Sequence, residues 1–191
     1  MKSIILMIDN QVGFNTTDKT KEIGKKIADL SQKNIFDYQI ATMYKNDENL
    51  KTNLFTRLQD WHFLKTEKEY KYVDNLKYDY SITKFIYSAL NLEMMTQLKI
   101  ANNNKIPQCV FLVGMDTECC VLKTGIDLFE HGIIPILLKQ YTASNSGDEA
   151  TERGFKQYER LISPKTIIDK EINSKDDINT IINSFKKHFI D

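Results

Sequence analysis

Three residues stand at points of this sequence where chemistry is possible. The segment Gly114-Met115-Asp116-Thr117-Glu118-Cys119-Cys120-Val121 follows the apolar run 108–113, and a helical pattern follows it. Two cysteines therefore arrive where a strand gives way to a helix. Unpaired amides and the dipole at a helix start favour a thiolate and lower its pKa, and the same amides can stabilise an oxyanion. Asp9 ends the apolar run Ile4 to Ile8. That position puts a carboxylate at the rim of a core, where it could take a proton from a thiol and return it as a general acid. Lys84 closes Ser81-Ile82-Thr83-Lys84-Phe85 and would favour a thiolate electrostatically. Each residue also has a plain structural reading. Cysteine is a small core residue and most free thiols are inert, aspartate often caps turns, and lysine is abundant here on what would be a solvated surface.

The elements that must bring these residues together read as alternating strands and helices. Residues 2–8 form a nearly continuous apolar run, the pattern of a strand buried on both faces. Ile23, Ile27 and Leu30 give residues 19–32 helical spacing, and 38–44 (YQIATMY) reads as a second strand. Leu54, Phe55, Leu58 and Trp61 predict a helix over 50–61. Residues 65–80, charged and rich in tyrosine, read as an exposed connection, whose tyrosines from Tyr70 to Tyr80 could form a lid or an oligomer contact, or cover hydrophobic surface. A short strand over 81–85, a helix over 92–102, a buried strand over 108–114 and a helix ended by His131-Gly132 follow. Beyond them lie a strand over 133–138, a helix over 148–161, a short strand near 166–168 and a last helix around 176–189. The alternation predicts one α/β domain over 1–191, an open, mainly parallel Rossmann-like sheet of about six strands with helices on both faces. Sites in such sheets form beyond the carboxyl ends of the strands, near which Asp9, Lys84 and the segment after Val113 fall.

Composition narrows the class. The 191 residues carry 26 basic and 26 acidic side chains, so no net field favours nucleic acid or an anionic membrane. Arginine occurs only at Arg57, Arg153 and Arg160, leaving few planar forks for phosphate or carboxylate. The opening residues lack the longer apolar region and cleavage site of a signal peptide. No stretch approaches the roughly 18 apolar residues of a membrane span. Three cysteines, two of them adjacent, do not make a disulfide framework, and the expected compartment is the cytoplasm.

Taken together, three segments resemble one family. Asp9-Asn10-Gln11-Val12-Gly13-Phe14 is similar to an Asp-x-Gln-x-x-Phe opening. Lys84-Phe85-Ile86-Tyr87-Ser88-Ala89-Leu90 resembles a Lys-x-x-x-Ser-Ala-Phe segment, with leucine for the final phenylalanine. Gly114 to Val121 fits Gly-x-x-Thr-x-x-Cys-Val. In this order the three resemble the isochorismatase-like cysteine hydrolases, which include nicotinamidases and related small-amide hydrolases, over about residues 3–169. The resemblance implies Cys120 as nucleophile, Asp9 as general acid/base and Lys84 as the third member. It also implies a cis peptide between Met115 and Asp116, and an oxyanion hole from the amides of Asp116 and Cys120. The side chain of Asp116 is expected to turn outward, since an inward carboxylate would oppose a thiolate. Phe14 and Tyr87 are expected as pocket walls by position.

The activity implied is cleavage of a small amide, with no cofactor and a homo-oligomer, dimer or tetramer, as the working form. Alternatives are vinyl ether hydrolysis of the isochorismatase type, a non-catalytic binding subunit on the same scaffold, and a thiol switch at Cys119-Cys120. Asp60-Trp61-His62 looks like the metal motif of nicotinamidases. Here it follows a helical pattern, and the other histidines, His131 and His188, are distant in sequence, so no metal is expected. Gln140 stands where many relatives have an aspartate, and Cys109 reads as a core residue.

Overall fold

The structure, a computed structural model, describes residues 1–189. Six strands form one sheet: β1 (Ile4–Ile8), β2 (Tyr38–Tyr44), β3 (Tyr80–Lys84), β4 (Cys109–Met115), β5 (Ile134–Ala143) and β6 (Ile167–Ile168), in the order β3-β2-β1-β4-β5-β6. Every pairing is parallel. The chain starts at the centre, steps outward to β3, then crosses back to lay β4 on the other side of β1. The switch point of this open Rossmann-like sheet therefore lies between β1 and β4.

Each residue of β1 is fully buried, as its unbroken apolar sequence requires of a strand covered on both faces. Alternation divides it. Ile5 and Met7 join Phe111, Val113, Ile23, Ile27 and Leu30 in one core, on the side of α1 (Asp18–Gln32) and α7 (Lys175–Phe185). Ile4, Leu6 and Ile8 join Val110, Leu112, Leu128 and Tyr158 in the other, on the side of α4 (Leu92–Ala101), α5 (Leu122–Glu130) and α6 (Asp148–Leu161). Helix α1 starts on Thr17, whose hydroxyl accepts from the Thr20 amide while the Thr20 side chain reaches back to the Thr17 amide, satisfying two donors a helix start leaves open. Among the described residues no helix is long and apolar enough to cross a membrane.

Two glycines let backbones approach where the site is built. Gly114 pairs with Ile8 and has φ +128°, and a Cβ there would stand 2.0 Å from the Ile8 carbonyl oxygen. Glycine alone fits both conditions. Gly154 of α6 lies so close to the turn after β4 that a Cβ would stand 2.8 Å from the Glu118 nitrogen.

Three expectations shift. The helix expected over 50–61 is α2 (Leu54–Gln59), capped by Asn53 and ended by Asp60 in the left-handed region. Residues 65–80 are more than an exposed connection. They hold the single-turn α3 (Glu67–Tyr70) and an antiparallel bridge from Tyr72 to Gln11, with the Val12 amide donating to the Lys71 carbonyl and the Val73 amide to the Asn10 carbonyl. The segment thus braces the loop after Asp9. Strand β5 runs on to Ala143 through an irregularity: Leu112 of β4 pairs with Leu137, but Gly114 pairs with Thr142. The extra residues bulge toward β6, where Lys139 and Gln140 both contact Asp169.

Candidate active site

Asp9 leaves β1 with φ 50°, a left-handed conformation that aspartate tolerates better than most residues. Its amide donates to Thr42 Oγ1 (3.0 Å), and that hydroxyl donates to Asp9 Oδ1 (2.7 Å). Next to it, Gln11 clamps the end of β2. Its Nε2 donates to the Tyr44 and Tyr70 carbonyls, and its Oε1 accepts from the Tyr44 amide. These bonds aim the carboxylate across the ends of β1 and β2 instead of leaving it to cap a turn.

Lys84 comes from two strands away. Its register partner is Tyr44, and its stem carries the ammonium over the Tyr44 ring, 5.0 Å from the centroid. The Nζ lies 2.6 Å from Asp9 Oδ2, with both side chains essentially inaccessible. It also donates to the Ile86 and Tyr87 carbonyls (3.0 and 3.1 Å) and to Cys120 Sγ (3.3 Å). Burial alone would lower the pKa of this ammonium, but the charges of Asp9 and Cys120 outweigh burial and hold it above its ordinary value. A buried ion pair of this kind is a poor source of stability, because two charges have left water.

Cys120 lies on a π-helical turn (Thr117–Val121) that runs from β4 into α5, a conformation concentrated at functional sites. The peptide between Met115 and Asp116 is cis, as the resemblance implies. The thiol's state differs from the expectation for a helix start. Burial pushes Cys120 well above the ordinary thiol range, Lys84 pulls it down, and Asp9 pushes it up again. Cys120 also stands within the turn rather than at its capping residue, which is Asp116. The dipole of a first turn therefore gives it little help, and the resting group is a thiol beside a formed ion pair. Cys119 is likewise pushed up to about 12, mainly by burial. Cys109 lies buried in β4, with burial raising it to about 12.

Above this floor lies a cavity of about 230 Å³. Phe14, Tyr44, Phe55, Trp61 and Tyr87 supply aromatic walls. Cys119, Cys120, Asp116, Ser146 and Gln59 complete the lining. Phe14 stacks on Trp61 (centroids 6.3 Å apart), and Phe55 meets Tyr87 edge-on at 4.8 Å. The Asp116 side chain does not turn outward. It lines the cavity, and its Oδ1 accepts from the Asn145 amide (3.0 Å) and Asn145 Nδ2 (2.8 Å). Burial raises its pKa to about 6 against these bonds, with Glu118 and Asp9 adding to the rise. Gln140 faces Asp169, so the loop after β5 meets the cavity through Ser146 instead.

Sequence reading passed over Thr42, Asn145 and Ser146. Only Thr42 had a signal, a hydroxyl at the end of an apolar strand. Asp60-Trp61-His62 splits. Trp61 turns into the cavity, while His62 faces outward with Nε2 on Asp60 (2.8 Å) and Nδ1 on Glu48 (3.0 Å). Both ring nitrogens are thus engaged, and among the described residues no three His, Cys, Asp or Glu side chains converge to hold a metal ion. Among the described residues, the Asp60-Trp61-His62 segment therefore offers no ligand set for a metal ion.

The Isochorismatase domain family model matches residues 3–166. No curated protein sequence matches significantly. Among solved structures, the chain is similar to the pyrazinamidase/nicotinamidase from Streptococcus mutans (TM-score 0.71, 23% identity, covering 87% of this chain and 99% of that one). It is also similar to an isochorismatase family protein from Burkholderia thailandensis (0.72, 14%, 95% and 96%). A third is the pyrazinamidase of Pyrococcus horikoshii in complex with zinc (0.70, 20%, 89% and 100%). At such identities the structures speak for the fold alone. The family match spans all three motif segments and every residue of the buried cluster at the sheet's switch point, and the chain belongs to the isochorismatase-like cysteine hydrolases.

Proposed function

We propose that this hydrolase cleaves the C–N bond of a small amide, with Cys120 as nucleophile, Asp9 as general acid/base and Lys84 as electrostatic support. One observation carries the reading: a single ammonium lies 2.6 Å from the Asp9 carboxylate and 3.3 Å from the Cys120 sulfur, at the floor of the cavity. A structural lysine needs no thiol, and an inert core cysteine needs no buried ion pair.

The raised thiol pKa defines the first step. Asp9 takes the Sγ proton as sulfur attacks the carbonyl carbon, so thiolate character develops only as the S–C bond forms. Lys84 stays charged throughout and offsets the negative charge wherever it resides. The carbonyl oxygen becomes an oxyanion held by the Asp116 and Cys120 amides. Asp9 then protonates the nitrogen, the C–N bond breaks and the amine leaves. Water attacks the thioester, giving its proton to Asp9. Collapse breaks the S–C bond, Asp9 returns the proton to sulfur, and the carboxylic acid departs. Vinyl ether cleavage of the isochorismatase type would place a dicarboxylate in a cavity whose lining has no basic side chain among the described residues, so amide chemistry fits better.

The test is acid-quenched turnover of a panel of primary amides, read by intact-mass and peptide mass spectrometry. An acyl adduct on Cys120 is expected, with ammonia release falling by roughly a thousandfold or more in Cys120→Ala. Turnover that persists in Cys120→Ala, or an adduct on Cys119, would overturn the assignment.

A further inference from the structure

The charge pattern of the cavity points past the reaction to what occupies it. Among the described residues, Asp116 is the only carboxylate in the lining, and no lysine, arginine or histidine joins it. The one ammonium nearby, on Lys84, is buried beneath and already shared among Asp9, two carbonyls and the Cys120 sulfur. The phenols stay neutral at working pH, since burial raises Tyr44 well above the ordinary phenol range and lifts Tyr87 as well, so they add no charge of either sign. Among the described residues, Asp116 forms no salt bridge, and the charges that face it, Glu118 and Asp9, are of its own sign.

This carboxylate is nevertheless held in place. Both Asn145 donors take Oδ1. Asn145 Oδ1 in turn accepts from Thr16 Oγ1 (2.6 Å) and Thr20 Oγ1 (3.2 Å), which ties the loop after β5 to the capped start of α1. The same lining carries five aromatic side chains. Their ring faces attract cations, most strongly when water is excluded, and aromatic cages commonly bind quaternary ammonium groups. The chain already uses one of these faces this way, with Lys84 over Tyr44.

We propose that the pocket selects small amides whose far end carries a cation, an alkylammonium above all, with Asp116 as counter-ion and the aromatic walls as its seat. The proposal deepens the amide reading and rests on it for the reacting end of the substrate. A carboxylate-bearing amide would meet Asp116 with like charge and find no donor to replace its water.

Three primary amides of similar shape separate the charges: (trimethylammonio)acetamide as cation, 3,3-dimethylbutanamide as its neutral analogue and succinamate as anion. Trp61, the chain's single tryptophan, lines the cavity, so its fluorescence reports occupancy. Titrations in Cys120→Ala, where no turnover occurs, should rank the cation first and the anion last, the cation about tenfold or more tighter than the neutral amide. Adding Asp116→Asn should remove about tenfold of the cation's affinity, a loss well beyond any change for the neutral amide, whose retained saturable binding shows that the variant is folded. Should that variant not fold, the Cys120→Ala protein itself should lose the cation's advantage as pH falls below about 6, where Asp116 protonates. Equal binding of cation and neutral amide, preference for succinamate, no saturable signal, or an unchanged cation affinity in Asp116→Asn would each overturn the proposal. Because binding is read without turnover, a wild-type enzyme that cleaves no amide would sink the proposed reaction while leaving this result to stand or fall separately.

Discussion

The floor and the wall of the cavity are built on different terms. The floor comes from strand ends. Asp9, Thr42, Lys84 and Cys120 are all buried and locked by sheet register and by bonds of 2.6 to 3.3 Å. Part of the wall comes from α2 and its loop, where Phe55 and Trp61 turn inward while Leu54 and Leu58 remain 54% and 77% exposed. Chemistry common to many substrates belongs on rigid elements, and recognition of one substrate on segments that can vary. A floor variant should therefore damage rate and stability together, whereas a wall variant should alter binding with the rate intact.

The largest effect is expected at Lys84. Lys84→Met keeps the stem but leaves the Asp9 carboxylate buried without its ion partner, a change that costs about 3–5 kcal/mol. The urea midpoint should fall accordingly, and turnover should drop by roughly a hundredfold or more as the oxyanion loses its nearby charge. Replacing both partners (Asp9→Leu with Lys84→Met) should recover much of the stability and none of the activity, because an apolar pair avoids the desolvation of two ions. If the double variant were no more stable than the single one, the floor would be holding the fold together rather than costing it stability.

At Asp116 the expected effect is smaller and depends on pH. Its pKa is raised from 3.8 to about 6, so the folded state binds this proton more tightly than the unfolded chain does. Stability then falls as pH rises from about 4 to about 6, and the loss is complete above that window. The groups facing Asp116 are Glu118, Asp9 and the two Asn145 donors. Asp116→Asn keeps an acceptor for Asn145 and removes the charge. It should match the wild type near pH 4 and exceed it at pH 8, by up to about 3 kcal/mol. Urea titrations at the two pH values check this, and a variant less stable at pH 8 would show the carboxylate to be part of the scaffold. A side chain that lowers stability at working pH and stays beside Cys120 fits a role in function better than one in folding.

What could be read beforehand divides along the same line. Strands β1 and β4 were legible because burial on both faces leaves an unbroken apolar signature. The choice of Cys120 over Cys119 rests on the register of the family signature before Val121 and on no local physical pattern. The α2 part of the wall was not legible. Leu54, Phe55, Leu58 and Trp61 have helical spacing, yet Asp60 takes the left-handed conformation and ends the helix before Trp61, so the four never share one face. Nor was the direction of Asp116, which depends on Asn145, 29 residues later, through bonds that leave no local pattern. The thiol's raised pKa was hidden too, because burial of Cys120 belongs to the assembled fold and not to the segment around it.

Phe55 offers the finest probe of the wall. Its ring touches Tyr44, Trp61 and Tyr87, and with Leu54 and Leu58 exposed it is the main apolar anchor of the six-residue α2. Phe55→Ala removes a half-buried ring at the surface end of the cavity, so global stability should fall by about 1–2 kcal/mol, less than full core truncation costs. With its anchor gone α2 should loosen, and Trp61 should become more accessible to acrylamide quenching. None of the bonds holding Asp9, Lys84 and Cys120 comes from α2. KM should therefore rise severalfold while kcat stays within about twofold of wild type, the signature of lost uniform binding. A fall in kcat at constant KM would mean that the wall helps place the reacting atoms, and the division between floor and wall would fail at the point of contact with substrate.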